Sequence, residues 1–166
     1  MEPSSLESAI ESLLFVASGP VPVDHLLRTL ELPPDVAEAA LQDLSNNLQS
    51  RGIRLQRKGS DVQLVTAAEH APLVERFLGL QLASKLSGAA LEALAIVAYR
   101  QPVTRAQVEA VRGVNSDGVL STLVARGLIS EIGRMETAGR PILYGTTFEF
   151  LQHFGLRDLR QLPAIE

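Results

Sequence analysis

The residues best suited to hold a metal or move a proton near neutral pH are three histidines, His25, His70 and His153, and they stand far apart in the chain. None has a second ligand at metal-binding spacing. There is no cysteine, which removes thiolate metal sites and disulfides together. Serine and threonine are plentiful, yet no Gly-x-Ser-x-Gly elbow occurs and the glycines form no phosphate-cradling loop. The densest polar cluster, Val114-Asn-Ser-Asp-Gly-Val119, reads as a helix start, with Asn115 or Ser116 as the cap and Asp117 against the positive end of the dipole. Gly139-Arg-Pro-Ile-Leu-Tyr-Gly-Thr-Thr147 reads as a glycine turn followed by an edge strand with Ile142 and Tyr144 alternating. No catalytic residue, metal or cofactor is expected, so the chemistry left to explain is that of binding.

The elements that position these residues occur twice. Ile10-Glu-Ser-Leu-Leu-Phe-Val-Ala-Ser18, followed by Gly19-Pro20-Val21, runs parallel to Leu91-Glu-Ala-Leu-Ala-Ile-Val-Ala-Tyr99, followed by Arg100-Gln101-Pro102-Val103. Arg51-Gly52-Ile53 is echoed by Arg126-Gly127-Leu128. Two copies of about 75 residues exceed the about 20 to 50 of a solenoid repeat and predict two similar domains. In the first, a capping box of Ser4 and Glu7 opens a helix with an inward stripe of Leu6, Ile10, Leu13 and Ala17 that Gly19-Pro20 ends. A short helix over 24–30 follows, then a longer one after Pro33-Pro34, a hairpin turning at Gly59-Ser60-Asp61, and a last helix over 68–78.

In the second copy Ser87 caps a helix bearing Leu91, Leu94, Ala95 and Ala98. Thr104 and Gln107 form a capping box for a helix with Val108 and Val111 that Gly113 ends. A third helix carries Leu120, Leu123 and Val124, and a hairpin from Leu128 to Thr147 and a final helix over 148–154 complete the copy. Three helices followed by a two-stranded wing is the winged-helix form of helix-turn-helix. The expected class is mainly α with small β-hairpins (α+β), arranged as two tandem winged-helix domains at 1–81 and 88–166 joined by a linker at 82–87.

Charge decides whether such a fold is used on DNA. The 166 residues are 46% hydrophobic and 20% charged, a charged share below the roughly 25% of ordinary soluble domains. That shortage suggests surface hidden in a partner. The longest apolar run, Ala93 to Tyr99, is far short of the about 20 residues of a membrane span, and the start of the chain lacks a signal-peptide pattern, so a cytoplasmic location is expected. The net charge of −4 falls entirely on residues 1–86, with 11 acids against 7 bases, whereas residues 87–166 balance 8 against 8, every base an arginine. The third helix of the first copy carries Asp35, Glu38 and Asp43, which repel phosphate, and neither third helix offers a series of side chains suited to base edges. Bases gather instead in the wings, as Arg51, Arg54, Arg57 and Lys58 and as Arg134 and Arg140, where only weak backbone contact is expected.

Leu91-Glu-Ala-Leu-Ala-Ile-Val-Ala-Tyr-Arg-Gln-Pro-Val-Thr-Arg105, Val111-Arg-Gly-Val-Asn-Ser-Asp-Gly-Val-Leu120 and Gly139 to Thr147, with the opening Leu6-Glu-Ser-Ala-Ile-Glu-Ser-Leu-Leu-Phe-Val-Ala-Ser18, closely resemble the segregation and condensation protein B family, ScpB, the winged-helix subunit of bacterial SMC complexes. The resemblance implies a non-enzymatic role: a homodimer, formed largely through the first domain, that binds the kleisin ScpA and through it SMC at the nucleoid, with DNA touched only indirectly or weakly. On that footing the kleisin is expected on the second domain around Tyr99, Arg100, Pro102, Arg105, Arg140 and Tyr144. A dimer surface is expected at Leu14, Phe15 and Val16 of the first helix, because Phe15 and Val16 lie off its inward stripe. The alternative is a tandem winged-helix DNA-binding transcriptional regulator.

Overall fold

Helical stripes and hairpins resolve, in the computed structural model, into two units of the same design; residues 3–78 and 85–164 are described. The first holds α1 (Pro3–Val16), β1 (Val21–Pro22), α2 (Val23–Leu30), α3 (Pro34–Asn47), β2 (Ile53–Lys58), β3 (Asp61–Thr66) and α4 (Ala71–Leu78). The second holds α5 (Gly88–Arg100), β4 (Val103–Thr104), α6 (Arg105–Arg112), α7 (Asp117–Ala125), β5 (Ile129–Arg134), β6 (Ile142–Thr146) and α8 (Phe148–His153). Both sheets are antiparallel, in the orders β1-β3-β2 and β4-β6-β5. The fold is α+β, with two winged-helix units.

The core of the first unit gathers Leu6, Ile10 and Leu14 from α1, Leu26 from α2, Ala40, Leu41 and Leu44 from α3, and Leu55 and Val62 from the hairpin. The stripe on α1 therefore runs to Leu14, with Leu13 at its margin. The helix begins at Pro3, so Ser4 falls inside it, and Glu7 accepts a hydrogen bond from Asn47 Nδ2 at 2.6 Å. In the second unit α5 turns Ala90, Ala93, Leu94, Val97 and Ala98 inward, onto Val108, Leu120, Leu123 and Ile129. Leu91, Ala95, Val111 and Val124, read as inward from the sequence, are exposed.

The local signals act as their chemistry dictates. Ser87 accepts from the Ala90 amide, and Thr104 and Gln107 exchange the reciprocal bonds of a capping box. Gly113 ends α6 with φ of 72°, the left-handed geometry glycine adopts without a Cβ clash. The start of α7 is built otherwise than expected: Asn115 accepts from the Asp117 amide in a local turn, while Ser116 binds Arg112 and its amide donates to Glu109. Arg112 also reaches Glu92 at 3.0 Å, so one nearly buried guanidinium ties α5, α6 and the start of α7 together.

Two features have no local signal. The two-residue strands β1 and β4 exist because Val21 and Pro22 meet Val62 and Asp61, and Val103 and Thr104 meet Tyr144 and Leu143. Residues 155–164, which the sequence reading attached to the second domain, belong to the first unit. There the Arg57 amide donates to Arg157 O at 2.7 Å, and the buried Gln56 side chain donates to Leu156 O at 2.8 Å while accepting from Gln63. Gly155 permits this return with φ of 65°, and a Cβ there would stand 2.7 Å from that of Ala68. Of the expected linker, residues 82–84 lie outside the described residues.

Candidate functional site

The wing of the second unit closes one side of a groove of about 410 Å³. Its walls come from Arg105 at the start of α6, Asp117 at the start of α7, Arg134 at the end of β5, Arg140 in the turn, and Ile142 and Tyr144 along the return strand. The register explains the convergence: Arg134 stands opposite Ile142, and Tyr144 pairs with Val103, two residues before Arg105. Between the strands the chain turns through Gly139 and Arg140, with φ of 81° and 40°. The left-handed region costs a non-glycine residue about 1 to 2 kcal/mol. The turn is held by the Arg140 amide donating to Thr137 O at 2.9 Å and by Arg134 Nη1 donating to Arg140 O at 3.3 Å.

The three guanidiniums differ in what they face. Arg105 donates to Asp117 at 2.7 Å and lies 3.8 Å from Glu109. The hydrogen bond to Asp117, then its negative charge, hold the Arg105 pKa above the usual arginine value. Neither Arg134 nor Arg140 is paired with a carboxylate among the described residues. The groove thus offers two uncompensated positive charges above a floor of Pro141, Ile142 and Tyr144, all half-buried.

Of the six residues expected at the kleisin site, Arg105, Arg140 and Tyr144 meet here. Tyr99 and Arg100 are exposed at the end of α5, Pro102 is exposed before β4, and none of the three lines the groove. Arg134, a wing base for which the sequence predicts only weak backbone contact, does line it, and its register position opposite Ile142 brings it there. Among the dimer positions, Leu14 is a core residue, whereas Phe15 and Val16 are 84% and 79% exposed. Exposed apolar area also occurs on α4, where Leu73 and Phe77 are one helical turn apart and no residue of the helix is buried.

The first wing is not a free phosphate clamp. Arg54 is tied to the carbonyls of Leu48 and Ile53 and to Glu69, and Arg57 makes a two-pronged pair with Glu38 at 2.5 and 2.8 Å. The Arg57 hydrogen bond holds the Glu38 carboxyl below its ordinary value of 4.5 against the opposing effect of burial. A lowered carboxylate pKa stabilises the fold fully above the unfolded value and loses that contribution as pH falls through the folded one. Glu38→Gln is accordingly expected to flatten the acid limb of the first unit's stability below about pH 4.5, at a cost near neutrality of no more than about 1 kcal/mol. Thermal unfolding followed from pH 7 to pH 3 checks it.

No described helix is long and apolar enough to cross a membrane, and no group of three or more His, Asp or Glu among the described residues could hold a metal. Fold and surface together define a class: tandem winged-helix proteins whose conspicuous features are an arginine-rimmed groove and bare apolar positions. Residues 8–165 match the family described as segregation and condensation complex subunit ScpB. The chain is 52% identical over 165 residues to segregation and condensation protein B of Moorella thermoacetica, covering 98% of this chain and 84% of that one. Among solved structures it is similar to ScpB from Mycobacterium tuberculosis, with 42% identity, 94% of this chain and 98% of that one covered, and a TM-score of 0.46. It is also similar to a dimer of an ScpB N-terminal domain complexed with an ScpA peptide, with 27% identity, 45% and 95% covered, and a TM-score of 0.43. The chain belongs to the segregation and condensation protein B family.

Proposed function

We propose that this protein is a non-enzymatic subunit of a bacterial SMC complex that serves chromosome condensation and segregation: a homodimer, working in the cytoplasm at the nucleoid, that binds the kleisin ScpA and reaches SMC through it. The observation that carries the reading is the family match across nearly the whole chain. In this reading the first winged-helix domain dimerises through Phe15 and Val16, and the second takes ScpA around Tyr99, Arg100, Pro102, Arg105, Arg140 and Tyr144. Support for protein docking over DNA binding comes from α3, which exposes Asp35, Glu38 and Asp43, and from the first wing, where two arginines are already spent on Glu38 and Glu69.

Co-expression with ScpA tests it. ScpA is expected to co-elute with the chain in size exclusion, and the chain alone to scatter light as twice its 17.9 kDa. A steep, salt-dependent shift of short duplex DNA with no retention of ScpA would replace this reading with the DNA-binding regulator.

A further inference from the structure

We propose that the groove beside the second wing accepts an acidic peptide segment carrying an apolar anchor, with Arg134 and Arg140 reading the acid and Ile142 and Tyr144 seating the anchor. The proposal rests on the reading above, in that the segment belongs to the kleisin. What it adds is the chemistry of the bound segment and a role for Arg134.

Three observations carry it. Asp117 neutralises Arg105 from inside the unit, and no carboxylate among the described residues does so for Arg134 or Arg140, so the charge the groove lacks is negative. The backbone at Arg140 is held in the left-handed region by bonds to Thr137 and Arg134, which fixes where this guanidinium leaves the chain. Backbone strain of this sort persists where the surroundings over-determine it. Finally, the floor of Pro141, Ile142 and Tyr144 is apolar and half-buried, which suits a side chain inserted from a peptide. A phosphate backbone has no use for that floor.

The test uses the full chain and its Arg134→Gln/Arg140→Gln variant, both positions being exposed. Affinity for intact ScpA is measured at about 50 and about 300 mM salt, and binding of a short DNA duplex alongside. The expected result is that the double variant binds ScpA roughly ten-fold more weakly at low salt, and that the difference shrinks at high salt. A variant that holds ScpA as tightly as the unaltered chain, while that chain binds well, overturns the acidic-segment proposal alone. If the unaltered chain holds no ScpA at either salt, the functional reading falls and takes the occupant with it. DNA binding that is lost in the variant, with ScpA binding unchanged, gives the groove to nucleic acid instead.

Discussion

A chain ending at Phe154 is expected to melt its first unit about 12 to 24 °C below that of the full protein, while the transition of the second unit stays within about 2 °C. Residues 155–164 supply Leu156 O to Gln56 and Arg157 O to the Arg57 amide. Gln56 is 1% exposed, so removing its partner opens a buried amide rather than a surface one. Two hydrogen bonds at about 1 kcal/mol each, with about 1 kcal/mol left from the half-buried Leu156, Leu159 and Leu162 once the entropy of ordering the segment is subtracted, sum to roughly 3 kcal/mol. At about 4 to 8 °C per kcal/mol for a domain of this size, that gives the stated range. Calorimetry resolves the two units as separate transitions, and Gly155→Val should act in the same direction without shortening the chain, because a Cβ at this positive φ meets Ala68. Coincident melting of the truncated and full chains would show that the segment contributes nothing.

Phe15→Asp is expected to weaken the proposed dimer by at least about 100-fold, giving a species of 17.9 kDa by light scattering at concentrations where the unaltered chain scatters as a dimer. The reason is the contrast between neighbours on α1. Leu14 is 4% exposed within its own core, and Phe15 beside it is 84% exposed. An aromatic ring so bare makes little contribution to the fold of its own unit, so its loss should leave unfolding within about 0.5 kcal/mol. A charge in its place, by contrast, would have to be desolvated in any apolar interface. Retention of the dimer would move the interface elsewhere, with Leu73 and Phe77 on α4 the next surface to substitute.

Much of this architecture is legible in residue order where its cause is local. Ser87, Thr104 with Gln107, and Gly113 mark helix boundaries because each bonds or bends within its own turn. The two wings are legible from alternation and turn residues. What escapes is set by distant partners: β1 and β4 are too short to alternate, and residues 155–164 carry no mark of the edge they cover. The exchange of Leu13 for Leu14 on the α1 stripe is a matter of helical phase, about 100° per residue, which the neighbours on α3 and the sheet decide. At the groove, residue types point to Arg105, Arg140 and Tyr144, but the hairpin register decides that Arg134 joins them and the end of α5 does not.

The return of residues 155–164 to the first unit has a consequence for biosynthesis. Translation ordinarily lets an N-terminal domain finish folding before its successor appears. Here the segment that covers Gln56 and the β2 edge leaves the ribosome only after the whole of the second unit, so the domain made first is completed last. Until then the nascent chain carries an open strand edge, the kind of surface on which stray pairing with other chains begins.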